Sequence, residues 1–163
     1  MISSRTESSV SACASALIEV LPPLARLLSE TLQTKGLGAR LTPPQYKVLL
    51  YLTERDHLSS ELARYLGVTP SSVTTLVDGL VQRGLVERIA SPTDRRCVLV
   101  RITAPGASCF RQAQAQLLPR LESVVAGLPG RERRELASGL RALEGLLEQA
   151  REPVPFKRSG VGG

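Results

Sequence analysis

Two short helical patterns separated by almost nothing constrain this chain more than any other feature. The first, "LSSELARYLGV", places Leu62, Ala63 and Leu66 on one side of a helix, with Ser59 or Ser60 as its cap. Gly67 fits the left-handed position that ends such a helix, because a residue without Cβ adopts it at no steric cost. The second, "TPSSVTTLVDGLVQRG", begins two residues later, with Thr69 as N-cap and Pro70 at the first helical position, and closes at Gly84. Val73, Leu76, Val77 and Leu80 fall at i, i+3, i+4 and i+7, one face of a helix. Ser71, Thr75, Asp78 and Gln82 fall opposite, with Ser72 and Thr74 on the flanks. Two helices joined this tightly make a helix-turn-helix, whose second member shows small hydroxyl side chains at an exposed N-terminal end.

Such an end suits close approach to a polyanion. Small side chains let the backbone come near base edges, their hydroxyls donate or accept, and the amides of the first turn face phosphates. A plain N-cap run would carry the same residues, so the stretch that follows decides the reading. Alternation in "CVLVRIT" puts Val98, Val100 and Ile102 on one side and Leu99 and Arg101 on the other, which predicts strands over about 85–90 and 97–103 around the turn "SPTDRR". Between residues 83 and 101, Arg83, Arg88, Arg95, Arg96 and Arg101 stand against Glu87 and Asp94, a net +3. A stiff ribbon tipped by arginines is a wing, and guanidinium groups suit the enhanced negative potential of a narrow minor groove. Asp94 is placed to orient a neighbouring arginine before binding.

The rest of the chain reads as helical. Residues 1–9 are polar and predict a flexible N-terminus. Val10 to about Lys35 reads as a helix interrupted at Pro22-Pro23, and "LTPPQYKVLLYL" reads as a helix capped by Thr42 with Val48, Leu49 and Leu52 buried. A helix from Ala104 or Pro105 to about Gly127, bent near Pro119, precedes one from Gly130 to Arg151, where Leu136, Leu140, Leu143 and Leu147 make a seam. These readings divide the chain into 1–9, an N-terminal dimerisation helix 10–40, a winged helix-turn-helix 41–103, C-terminal dimerisation helices 104–151 and a flexible tail 152–163. The expected fold is mainly α, with a small two- to three-stranded antiparallel wing. The flanking helices hold more apolar surface than a winged helix of about 60 residues can cover, which favours a second copy as the cover.

Chemistry narrows the function further. A net charge of +6 and a pI near 9.8 favour polyanionic partners. Cys13, Cys97 and Cys109 lie far apart and His57 is the only histidine, so neither a disulfide framework nor a zinc site of usual spacing is expected. Cys97 and Cys109 read as packing residues, Tyr46 and Tyr51 as core, and His57 as solvated in a polar turn. There is no Gly-x-Ser-x-Gly, no phosphate-binding glycine loop and no histidine beside a cysteine, so an enzyme is not expected, nor is a cofactor. The start lacks a signal-peptide pattern and no run of about 18 uninterrupted apolar residues occurs, so the expectation is a cytoplasmic protein without a membrane partner.

"LTPPQYKVLLYL", "ELARYLGVTPSSVTTLVDGLVQRGLVER" and "DRRCVLVRIT", in this order, resemble the MarR family of winged helix-turn-helix regulators over about residues 20–110. The wing signature Asp-x-Arg corresponds to Asp94 and Arg96. The resemblance implies a homodimeric repressor on double-stranded DNA with a near-palindromic operator, wings in the minor groove, and release by a small ligand or by cysteine oxidation. On this reading Ser71, Ser72, Thr74 and Thr75 read bases, Arg96 enters the minor groove with Asp94 and Arg95 assisting, and Arg83 and Arg88 contact phosphates or brace the wing. Two alternatives stay open: a winged helix that binds protein without an operator, and a thiol-based sensor using Cys13, whose surroundings "SACASAL" lack aromatic residues.

Overall fold

Helix α1 (Ser3–Leu32) leads into α2 (Pro43–Leu52), the short strand β1 (His57–Leu58), α3 (Ser59–Leu66) and α4 (Pro70–Gln82). Strands β2 (Val86–Ala90) and β3 (Val98–Ile102) follow, then α5 (Ala104–Ala126) and α6 (Gly130–Gln149). The computed structural model describes residues 3–33, 41–91 and 98–149, with side chains from residue 9 onward and Glu148 excepted. The chain divides into two compact units, Met1–Pro119 and Arg120–Gly163.

The first unit is built around α2, α3, α4 and a three-stranded antiparallel sheet of order β1-β3-β2. β3 lies in the middle, pairing His57↔Val100 and Leu58↔Leu99 on one side and Val86↔Ile102 through Ala90↔Val98 on the other. Most of the residues expected from periodicity form the core, while Leu66 and Leu76 are only half-buried. Val48, Leu49 and Leu52 from α2, Leu62 and Ala63 from α3, and Val73, Val77 and Leu80 from α4 are buried with Val86, Val100 and Phe110. Thr42 caps α2 reciprocally, its hydroxyl accepting from the Gln45 amide while Gln45 Oε1 accepts from the Thr42 amide. Gly67 ends α3 in the left-handed region at φ 67°, where its amide and that of Val68 reach back to Arg64 and Ala63 carbonyls. That turn sets the angle between α3 and α4.

Four expectations are corrected. Helix α1 begins at Ser3, not Val10, so the predicted flexible segment 1–9 is helical over 3–9; no glycine or proline interrupts that stretch. The helix also runs unbroken through Pro22-Pro23. Proline's fixed φ suits a helix, and the two carbonyls that lose their donors, those of Ile18 and Glu19, belong to exposed residues, so their loss is not that of a buried bond. The cap of α3 is Leu58, not a serine: β pairing holds the chain extended to Leu58, and Glu61 Oε2 accepts its amide at 2.9 Å.

His57, finally, is not solvated. It is 1% exposed, because its strand position opposite Val100 turns the ring inward against Tyr51, at a centroid distance of 3.7 Å. Tyr65 stacks on the other side of Tyr51 at 4.0 Å, so three rings form a column. Nδ1 lies 3.2 Å from Glu61 Oε2, while Nε2 is buried without a hydrogen-bond partner.

Outside this core, much apolar surface stays open. On α1, Val10, Leu17, Ile18, Val20, Leu21 and Leu24 are exposed, as are Leu136, Leu140, Leu146 and Leu147 on α6. Residues Ser9–Leu32 are long and apolar enough to cross a membrane by length and composition alone. The stretch nonetheless carries Glu19 and an Arg26–Glu30 pair.

Candidate nucleic-acid interface

The site grows from the N-terminus of α4. Thr69, extended at φ −70° and ψ 154°, directs its hydroxyl back to accept the Ser72 amide at 3.3 Å, and Pro70 takes the first helical position where no amide is needed. Val73, Val77 and Leu80 anchor one face completely, which leaves Ser71, Ser72, Thr74 and Thr75 exposed together on the other. All four residues expected to read bases therefore share one exposed end of one capped helix. Their hydroxyls are already engaged: Thr74 donates to the Pro70 carbonyl, Thr75 to the Ser71 carbonyl, and Ser71 and Ser72 both meet the Thr69 hydroxyl.

The two arginines with an open role separate. Arg88, on β2, places Nη1 2.6 Å from Asp78 Oδ1 of α4, and so braces the ribbon against the helix. Arg83, at the C-cap of α4, gives Nη1 to Gln45 Oε1 at 3.1 Å. Because Gln45 is neutral, that contact holds Arg83 in place without cancelling its charge, and the residue remains exposed. The carboxamide that receives it also completes the α2 capping box, so one side chain ties the start of α2 to the end of α4.

On the central strand, Arg101 of β3 grips Asp56 through Nε and Nη2, at 2.7 Å for the shortest contact, and approaches Glu87 at 3.9 Å. The Arg101 hydrogen bonds hold the Asp56 carboxyl below its usual range. Glu61 is lowered to about 2, chiefly by the Arg55 guanidinium and further by the Leu58 amide and His57. Asp56, Glu61, Asp78 and Gln45 were not singled out from the sequence as parts of this site. Only Gln45 had a legible signal, since Thr-x-x-Gln is a capping box.

Asp94, Arg95 and Arg96 lie outside the described residues, as does Cys97. The strands on either side, β2 and β3, pair as far as Ala90↔Val98. Cys13 is exposed on α1. Cys109 is buried on α5, where burial pushes its thiol up, away from the reactive thiolate. Among the described residues no group of His, Cys, Asp and Glu is arranged to hold a metal ion.

Comparison with known proteins agrees with this geometry. The MarR family model matches residues 41–96. An uncharacterized HTH-type transcriptional regulator of Bacillus subtilis, YfiV, is 31% identical over 134 residues, spanning 77% of this chain and 84% of that protein. The HTH-type transcriptional repressor Rv2887 of Mycobacterium tuberculosis is 34% identical over 104 residues, 63% of this chain and 75% of that protein. Among solved structures, apo MarR from Escherichia coli superimposes with a TM-score of 0.68 at 30% identity, covering 79% of this chain and 95% of its own. The chain belongs to the MarR family, winged helix-turn-helix proteins that bind DNA to regulate transcription and are not enzymes.

Proposed function

We propose that this chain is a homodimeric cytoplasmic repressor that binds a near-palindromic operator and leaves it in response to a small ligand or another signal. The observation that carries the reading is the exposed Ser71, Ser72, Thr74 and Thr75 end of α4, rigidly anchored by Val73, Val77 and Leu80 and braced to the ribbon through Asp78–Arg88. In this reading α4 enters the major groove by that end. Arg96, oriented by Asp94 and assisted by Arg95, enters the adjacent minor groove. Arg83, charged and held by Gln45, is the phosphate contact; Arg88 is the brace.

The exposed leucines of α1 and α6 support the dimer, since a second copy would take them out of water. Two-fold symmetry then sets two copies of α4 about 10 base pairs apart. Rv2887, a relative that is named a repressor, supports the direction of control. If release involves a thiol, the exposed Cys13 is better placed for it than the buried Cys109.

Titration of the full chain into DNA from its own upstream region, at several salt concentrations, tests this. Selective binding with a steep salt dependence is expected, and Arg96→Ala should weaken it by about 1–3 kcal/mol. Binding that is equal for scrambled DNA and unchanged in Arg96→Ala would remove the wing from the mechanism and favour a protein partner.

A further inference from the structure

The hydroxyl hydrogens on the exposed end of α4 are almost all engaged within the protein. Thr74 Oγ1 donates to the Pro70 carbonyl at 3.0 Å and Thr75 Oγ1 to the Ser71 carbonyl at 3.2 Å. Thr69 Oγ1 lies 3.0 Å from Ser71 Oγ and 2.9 Å from Ser72 Oγ, and it also accepts the Ser72 amide. A hydroxyl has one hydrogen and two lone pairs. With one lone pair of Thr69 taken by the amide, Thr69 accepts a hydrogen from one serine and gives its own to the other. One serine hydrogen is left over. Everything else that Ser71, Ser72, Thr74 and Thr75 offer outward is lone pairs and the two threonine methyl groups.

That inventory selects among base edges. In the major groove guanine shows only acceptors, N7 and O6, whereas adenine and cytosine show amino hydrogens and thymine shows a methyl group. Lone pairs match amino hydrogens, and methyl groups match the thymine methyl; an A·T pair offers both on one edge. The residues that usually grip guanine are absent: Pro70–Gln82 contains no Arg or Lys. Asp78 is occupied by Arg88, and Gln82 lies roughly 16 Å along the axis from Ser71, too far back from an entering N-terminus.

We propose that α4 reads thymine methyl groups and base amino groups and makes little use of guanine, so that the base pairs beneath its first turns are A·T. This rests on the reading of α4 as the helix that enters the major groove. Specificity then comes from Thr74 and Thr75 through their methyl groups, and the back-bonded hydroxyls serve as acceptors.

The test begins by enriching the duplexes that the full-length protein binds from a random-sequence pool. In an enriched duplex each thymine is replaced singly by deoxyuracil, which removes only the methyl group. Each guanine is replaced singly by 7-deazaguanine, which removes only the N7 acceptor. At least one deoxyuracil in each half-site should weaken binding on the order of fourfold, the effect of one buried methyl group, while 7-deazaguanine stays within about twofold. Thr74→Ser with Thr75→Ser, which keeps both hydroxyls and deletes both methyl groups, should erase the deoxyuracil effect. Indifference to every deoxyuracil, or losses at 7-deazaguanine instead, overturns the proposal and leaves operator binding standing. A pool that yields no enriched duplex overturns operator binding as well.

Discussion

Arg88 of β2 and Asp78 of α4 meet at 2.6 Å and lock the ribbon to the helix that precedes it. Both side chains are more than a third exposed, so the pair adds little to stability, about 0.2–1 kcal/mol after solvent screening. Its larger effect is on direction. Asp78→Asn should leave the urea midpoint nearly unchanged yet weaken DNA binding several-fold. A double-mutant cycle with Arg88→Ala checks this; additive losses would mean that the pair does not position the wing.

Acid should unfold this protein through the segment from Asp56 to Glu61, which runs from just before β1 into the first turn of α3. Glu61 is depressed to about 2 from the ordinary 4.5. A carboxylate whose pKa is lowered on folding contributes stability that is complete above about pH 4.5 and is lost as pH falls toward 2. Asp56, lowered by Arg101, adds to the same slope. Urea unfolding across this range should show stability falling as pH is lowered, and Glu61→Gln should flatten the curve while lowering stability at pH 7.

Two glycines should respond oppositely to alanine. A Cβ on Gly106 would stand 1.9 Å from the Leu85 carbonyl oxygen, which already accepts the Thr103 amide, so the start of α5 must move off β2. Gly106→Ala is expected to cost about 1–3 kcal/mol. Gly139, within α6, meets nothing within 4 Å, and Gly139→Ala should stabilise by about 0.5–1 kcal/mol. Thermal melts of the two variants against the parent chain decide both.

The leucines of α6 give the dimer a direct test. Leu140 and Leu147 are 56% and 57% exposed in the single chain. Leu140→Glu with Leu147→Glu should therefore spare the fold of residues 41–103 and shift the sedimenting species from dimer to monomer. Helical circular dichroism reports the first and sedimentation equilibrium the second. An unchanged dimer would place the interface elsewhere.

Much of the candidate site was legible because it is local. The cap at Thr69, the turn at Gly67 and the apolar faces of α2 and α4 each depend on groups within about four residues, and each appears where the pattern puts it. Leu58 shows where locality misleads. Two serines beside it are better caps by residue type, yet strand pairing to Leu99 and the Glu61 carboxylate decide the boundary.

The sequence by itself determined the helix-turn-helix, the ribbon and the exposed hydroxyl face, because capping, periodicity and alternation act over one or two turns of chain. Only the tertiary structure decided what each charge does. Arg101 meets Asp56 across 45 residues and Arg83 meets Gln45 across 38, and nothing in the spacing marks either pair. The same holds for His57, which a polar neighbourhood assigns to water and the pairing with Val100 carries into the core. Such partners are chosen when the sheet closes and the helices pack against it, since only then do residues distant in sequence share one dry or half-dry space.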